Sequence, residues 1–183
     1  MNRQEVAVHN GQATGPRHCM IVHAYYPLGE TRVEREARAL VRGGYAVDVI
    51  CLRAPGEQSV ERDDGITIHR LPVGRHKGRG TGVQLLEYLA FFILAMARLS
   101  RLHLRASYGV VQAHNLPDFL VFAALPARLM GARVILDIHD LMPEFYAARF
   151  GTSLDAWPVR LVRLQERLSC RFANHVITVS EHW

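Results

Sequence analysis

The chain has 183 residues, 49% of them hydrophobic and 21% charged, enough for one soluble domain with a sizeable core and too few for a second of full size. Its formal charge of +5 favours anionic partners such as phosphates, anionic lipid or nucleic acid, and says nothing about fold. Cys19, Cys51 and Cys170 are odd in number, far apart and set in apolar runs, so they read as reduced core thiols rather than a disulfide or zinc framework.

A polar lead, 1–17, is read as disordered, and the domain proper is expected over 18–183. The first apolar run, 19–23, is too short for a signal-peptide core, so a cytoplasmic location is expected. Short β-branched runs then alternate with helix-period stretches, the pattern of an α/β fold with a parallel sheet and crossover helices. Strands are expected at 19–23, 47–52, 66–71, 110–114, 134–138 and 176–179. The first helix begins at Thr31, with Thr31 and Glu34 as a T-x-x-E capping box and Val33, Ala37, Leu40 and Val41 on one face, and it stops at Gly43 and Gly44. Further helices are expected over 83–105, over 118–130 with a kink at Pro126 and a stop at Gly131, and over 159–172. The segments 54–65 and 74–82 read as surface loops.

Within the second helix, the uninterrupted apolar stretch 88–97 is about half of what a membrane span needs. Gln84, Glu87, Phe91, Leu94, Arg98, Arg101 and Arg105 fall on one stripe, and Leu85, Leu89, Phe92, Ile93 and Met96 on the opposite side, read as core-facing. Together with the basic loop Arg75, Lys77 and Arg79, that stripe predicts peripheral contact with an anionic membrane surface on the inner face of the cytoplasmic membrane, through Phe91, Leu94 and the arginines. The same basic loop lacks interleaved aromatics, so nucleic acid is not an expected partner.

In a parallel sheet, ligands gather beyond the carboxyl ends of the strands. Three such loops carry chemistry. The first, Leu28, Gly29 and Glu30 before the first helix, offers backbone N–H groups to an anion, although it lacks G-x-G-x-x-G and carries acidic neighbours. The second presents His114, Asn115 and Asp118, suited to hydrogen-bonding sugar hydroxyls, or equally to a buried histidine and a helix cap. The third, Asp137, His139, Asp140 and Glu144, is the densest; strand alternation puts Asp137 and His139 on one side, so the carboxylate orients the ring. His114, His139 and a carboxylate are a conceivable zinc set, but no H-x-x-x-H or C-x-x-C spacing supports it, and no metal is expected.

Tyr26-Pro27, Glu36 to Leu40, Gly44 to Val47, His114-Asn115-Leu116-Pro117-Asp118, Asp137-Ile138-His139-Asp140 and Val176 to Ser180 together resemble the N-terminal domain of family 4 glycosyltransferases, over most of the chain from His18 to Glu181. The resemblance implies a Rossmann-like sheet with helices on both faces, the acceptor-side half of a retaining GT-B enzyme. Such an enzyme transfers a sugar from a nucleotide-diphosphate sugar to a lipid-linked or polysaccharide acceptor and needs no cofactor. His139 matches the histidine that reaches the donor sugar, Leu28 to Glu30 matches the turn near the donor phosphates, and His114, Asn115, Asp118, Asp137, Asp140 and Glu144 fall where the acceptor binds. The donor domain of that family is expected after Glu181, so the chain reads as truncated before it and inactive alone. Two other readings compete: a non-catalytic acceptor- and membrane-binding subunit serving a separate donor-binding subunit, and a nicotinamide-dependent domain, which the missing glycine fingerprint opposes.

Overall fold

The computed structural model describes residues 15–28, 30–75 and 80–178. Its elements in chain order are β1 (Arg17–Tyr25), α1 (Thr31–Arg42), β2 (Ala46–Leu52), β3 (Val60–Asp63), β4 (Ile66–Leu71), α2 (Thr81–Arg105), β5 (Val110–His114), a 3₁₀ turn (Asp118–Ala124), α3 (Leu125–Leu129), β6 (Arg133–Ile138), α4 (Met142–Phe150), α5 (Trp157–Phe172) and β7 (His175–Thr178). All six expected strands are present. They form one seven-stranded sheet in the order β3-β4-β2-β1-β5-β6-β7, parallel except for the β3–β4 pair.

Alternation along β1 divides the core. Cys19 and Ile21 pack with Ile50, Leu52, Phe91, Ala95 and Leu99 under α2, while Met20 and Val22 pack with Val33, Ala37, Val49 and Ile68 under α1. Cys19 and Cys51 are buried free thiols, whereas Cys170 is only half-buried. From β1 the chain builds outward one way through β2 and β4 and the other way through β5 and β6, so the β1/β5 boundary is the topological switch point where a ligand crevice is expected.

Four local expectations are corrected. The segment read as a loop over 54–65 contains the edge strand β3, turned into β4 by Asp64 and Gly65 at φ 44° and 86°, a two-residue hairpin turn with both central residues left-handed. The Thr31–Glu34 capping box does not form: Glu30 is the cap residue, its carbonyl accepts the Glu34 N–H at 3.0 Å, and the Glu34 carboxylate is taken by Arg38. The helix expected over 118–130 is a 3₁₀ turn followed by the short α3, with Pro126 in the first turn of α3, where its missing N–H costs nothing. The third site loop ends early, because Met142 to Phe150 is helical, again with Pro143 in the first turn.

The largest correction concerns α2, whose core side is rotated from the one expected: of the residues read as core-facing, Phe92 and Met96 pack against the core in part, but Leu85, Leu89 and Ile93 do not. Phe91 is 0% exposed and Glu87 is buried with it, whereas Leu85, Leu86, Leu89 and Ile93 are 59%, 66%, 47% and 51% exposed. The sheet is met by Phe91, Ala95, Leu99 and His103, one residue per turn, among which Ala95 lets the helix approach closely. The segment Gly82–Arg105 is long and apolar enough to cross a membrane by length and composition, although Phe91, Ala95 and Leu99 are packed in this core.

Candidate active site

Strands β5 and β6 run in register, His114 opposite Asp137, and both end beside the switch point. Asp137 has no exposed surface and collects three partners. Its Oδ2 lies 3.0 Å from His114 Nδ1 and 3.3 Å from His139 Nε2, and its Oδ1 accepts from Arg32 at 2.5 Å. Burial alone pushes the Asp137 carboxyl up; hydrogen bonds and charge from His114 and His139 outweigh it and hold it well below the usual carboxylate range. With both ring N–H groups given to Asp137, the uncommitted nitrogen of His139 is Nδ1, on a side chain 19% exposed. The expected pairing of Asp137 with His139 is therefore present.

Asn115 fixes the loop that carries the ring. Its Nδ2 donates to Asp118 Oδ1 at 2.9 Å and to the Asp140 carbonyl at 2.6 Å, while its Oδ1 accepts the His139 backbone N–H at 2.7 Å. The two site loops thus form one unit in which His139 is held from both backbone and ring. Burial raises Asp118 to about 6, against the Asn115 hydrogen bond that lowers it.

The expected acceptor-binding residues divide by burial. His114, Asn115, Asp118 and Asp137 are buried and bond to one another and to the two loops, which holds His139 in place, while His114 Nε2 and Asp118 Oδ2 have no hydrogen-bond partner among the described residues. Asp140 and Glu144 are exposed at the same edge and stay available. Leu28 is 93% exposed and Glu30 caps α1 beside the switch point, whereas Gly29 lies outside the described residues. Of the expected membrane contacts, Phe91 is core; Arg101, Arg105, Leu94 and Arg75 are exposed, Arg98 is half-buried, and Lys77 and Arg79 lie outside the described residues.

Sequence reading missed the support behind Asp137. Arg32 also binds Glu36 at 3.1 Å; Glu36 accepts from Gln112 at 2.9 Å; and Gln112 Oε1 meets His18 Nε2 at 3.1 Å. The chain of bonds runs from His18 on β1 through α1 to the site. A glutamine in the middle of the buried strand β5 was the available signal, because a buried amide requires partners. His114, Asp137 and His139 each offer an atom within 4.8 Å of the others, the compact set a cation would need, but Arg32 already supplies positive charge to the same carboxylate and opposes a second cation there.

Residues 29–183 match the glycosyl transferase 4-like domain. The chain belongs to that family. No curated protein matches the sequence. Among solved structures, this glycosyl transferase 4-like chain is similar to sucrose-phosphate synthase from Thermosynechococcus elongatus, with TM-score 0.65 and 16% identity over 88% of this chain and 42% of that one. It is also similar to MurG of Acinetobacter baumannii, with TM-score 0.50 and 15% identity over 90% of this chain and 41% of that one. A Glycyrrhiza uralensis protein complexed with glycyrrhetinic acid 3-O-monoglucuronide matches with TM-score 0.57 and 10% identity over 91% of this chain and 44% of that one. The fold class expected from the family resemblance is borne out, and the chain spans about two fifths of the length of these structures.

Proposed function

We propose that this chain is the acceptor-side half of a retaining glycosyltransferase, which moves a sugar from a nucleotide-diphosphate donor to a lipid-linked or polysaccharide acceptor, the donor being held mainly by a second domain. The observation that carries the reading is His139, a partly exposed imidazole at the carboxyl end of β6, fixed through its ring by Asp137 and through its backbone by Asn115. In this arrangement Nδ1 meets a hydroxyl of the donor sugar across the cleft, and the imidazole, backed by the Asp137 carboxylate, favours positive charge developing at the anomeric carbon. Leu28 and Glu30, on either side of Gly29 and ahead of α1, serve the donor phosphates, and Asp140 and Glu144 serve the acceptor. No cofactor is required, and sugar transfer needs groups from both sides of the cleft, so this half alone binds nucleotide sugar weakly.

The same reading docks the domain from the cytoplasm on the anionic inner face of the membrane. The exposed strip of α2 is apolar over Leu85, Leu86, Leu89 and Ile93 and cationic at Arg101 and Arg105, a distribution that matches acyl chains and anionic headgroups. Membrane docking without any transfer would leave the alternative of a non-catalytic acceptor subunit.

The test is sugar transfer by a two-domain enzyme containing this chain, assayed with UDP- and GDP-sugars and with the product anomer read by NMR. His139→Ala should lower turnover on the order of 10²-fold with an unchanged melting temperature. Near-normal turnover, or a product of inverted configuration, overturns the reading.

A further inference from the structure

A cavity of about 420 Å³ opens at the carboxyl ends of β1, β2 and β4, and its walls include Tyr25, Arg53, Glu57, Val73 and Arg75. This volume suits a ligand the size of a sugar phosphate. Glu57, the one carboxylate in the lining, is already spent: its Oε2 accepts the Ala54 N–H at 2.7 Å and lies 3.1 Å from the buried guanidinium of Arg70. Arg70 is itself shared with Glu61 at 2.6 Å and with the Tyr26 carbonyl. Arg53 and Arg75, by contrast, have no carboxylate within ion-pair distance among the described residues. Among the described residues, the cavity lining therefore offers two guanidinium groups without an ion-pair partner, on two different loops.

Behind the cavity, His23 is buried 3.3 Å from Glu87, and burial, with a smaller push from the charge of Arg75, lowers it to about 4, so near pH 7 it adds no positive charge to the cavity wall. Two guanidiniums on separate loops suit an oxyanion with several oxygens and close to two negative charges; a single carboxylate would occupy one of them.

We propose that this cavity binds the acceptor through a phosphate group held between Arg53 and Arg75. The word acceptor rests on the glycosyltransferase reading; the phosphate site does not. Two sources share this chemistry, a soluble sugar phosphate and a phosphate-bearing lipid.

The experiment titrates the chain with glucose 6-phosphate, with glucose, and with phosphatidylcholine vesicles lacking or containing phosphatidic acid, using calorimetry and co-sedimentation. The expected result is binding of glucose 6-phosphate or of phosphatidic acid vesicles, no detectable binding of glucose, and a loss of about 10-fold or more in affinity for Arg53→Ala and for Arg75→Ala with unchanged melting. Glucose 6-phosphate binding assigns a soluble acceptor, and binding of phosphatidic acid vesicles alone, lost in both arginine variants, assigns a lipid one. Failure of both phosphate probes, or binding indifferent to Arg53→Ala and Arg75→Ala together, overturns the proposal. Phosphate binding in a protein whose two-domain form transfers no sugar would instead sink the glycosyltransferase reading and leave this site standing.

Discussion

Asp137→Asn removes one charge and keeps the shape. In the wild type the buried carboxylate serves two histidines and Arg32, and the amide leaves the Arg32 guanidinium facing a neutral group and one ring N–H facing an NH₂. Breaking a buried ion pair from one side costs roughly 3–5 kcal/mol. Arg32 keeps Glu36 as a partner and is 25% exposed, which places the loss at the lower end, about 3 kcal/mol. At roughly 2–4 °C per kcal/mol for a chain of this size, the melting temperature at pH 7 should fall by about 6–12 °C by circular dichroism. Because the folded carboxyl is held below its ordinary value, its stabilisation is complete above about pH 4 and disappears as the pH falls further, so the wild-type and variant curves should converge in acid. Combining Asp137→Asn with Arg32→Met should recover part of the loss by removing the stranded cation. A variant melting within about 2 °C of wild type at pH 7, or a gap undiminished near pH 2, would refute the reasoning.

Phe91→Ala should cost about 3–5 kcal/mol in urea denaturation, whereas Leu89→Ser should change stability by less than about 0.5 kcal/mol; equal costs would mean that α2 packs by its other face. His18 and His23 are both lowered to about 4 by burial, so each contributes stability that is present above about pH 6.5 and lost as the pH falls toward 4, on the order of 3 kcal/mol apiece. Burial raises Asp118 and Glu166 to about 6, and these carboxyls act in the opposite sense, stabilising below about pH 4 and losing that contribution as the pH climbs through 6. His23→Phe, which keeps a ring against Tyr88 and Phe91, should therefore lose less stability than wild type between pH 7 and 5; an equal loss would show that His23 is not held neutral.

The strands buried on both faces were legible because such strands must be apolar throughout, and runs like Val47 to Leu52 announce themselves. Edge strand β3 did not, since Val60-Glu61-Arg62-Asp63 is polar and shields only one side; its signal was the Asp64-Gly65 pair, whose backbone suits a tight hairpin. At the site, Asp137 beside His139 could be read from two-residue alternation, because both lie on one strand end.

Periodicity identifies a buried helix face only when the opposite face is polar. On α2, leucine, isoleucine and phenylalanine occur all round, so the pattern established the helix and left its rotation open; the packing of Phe91, Ala95 and Leu99 against the sheet decided it. Arg32 and Asp137 are 105 positions apart, and no local pattern relates them. They meet because the strand order brings the start of α1, which follows β1, near enough to the carboxyl end of β6 for the Arg32 side chain to reach Asp137. The sequence by itself determined the parallel α/β plan and the loops that carry its polar groups, since both follow from local hydrophobic period and residue type. Only the tertiary structure decided which of those groups are buried supports and which remain open to a ligand, because burial depends on what the rest of the chain packs against each one.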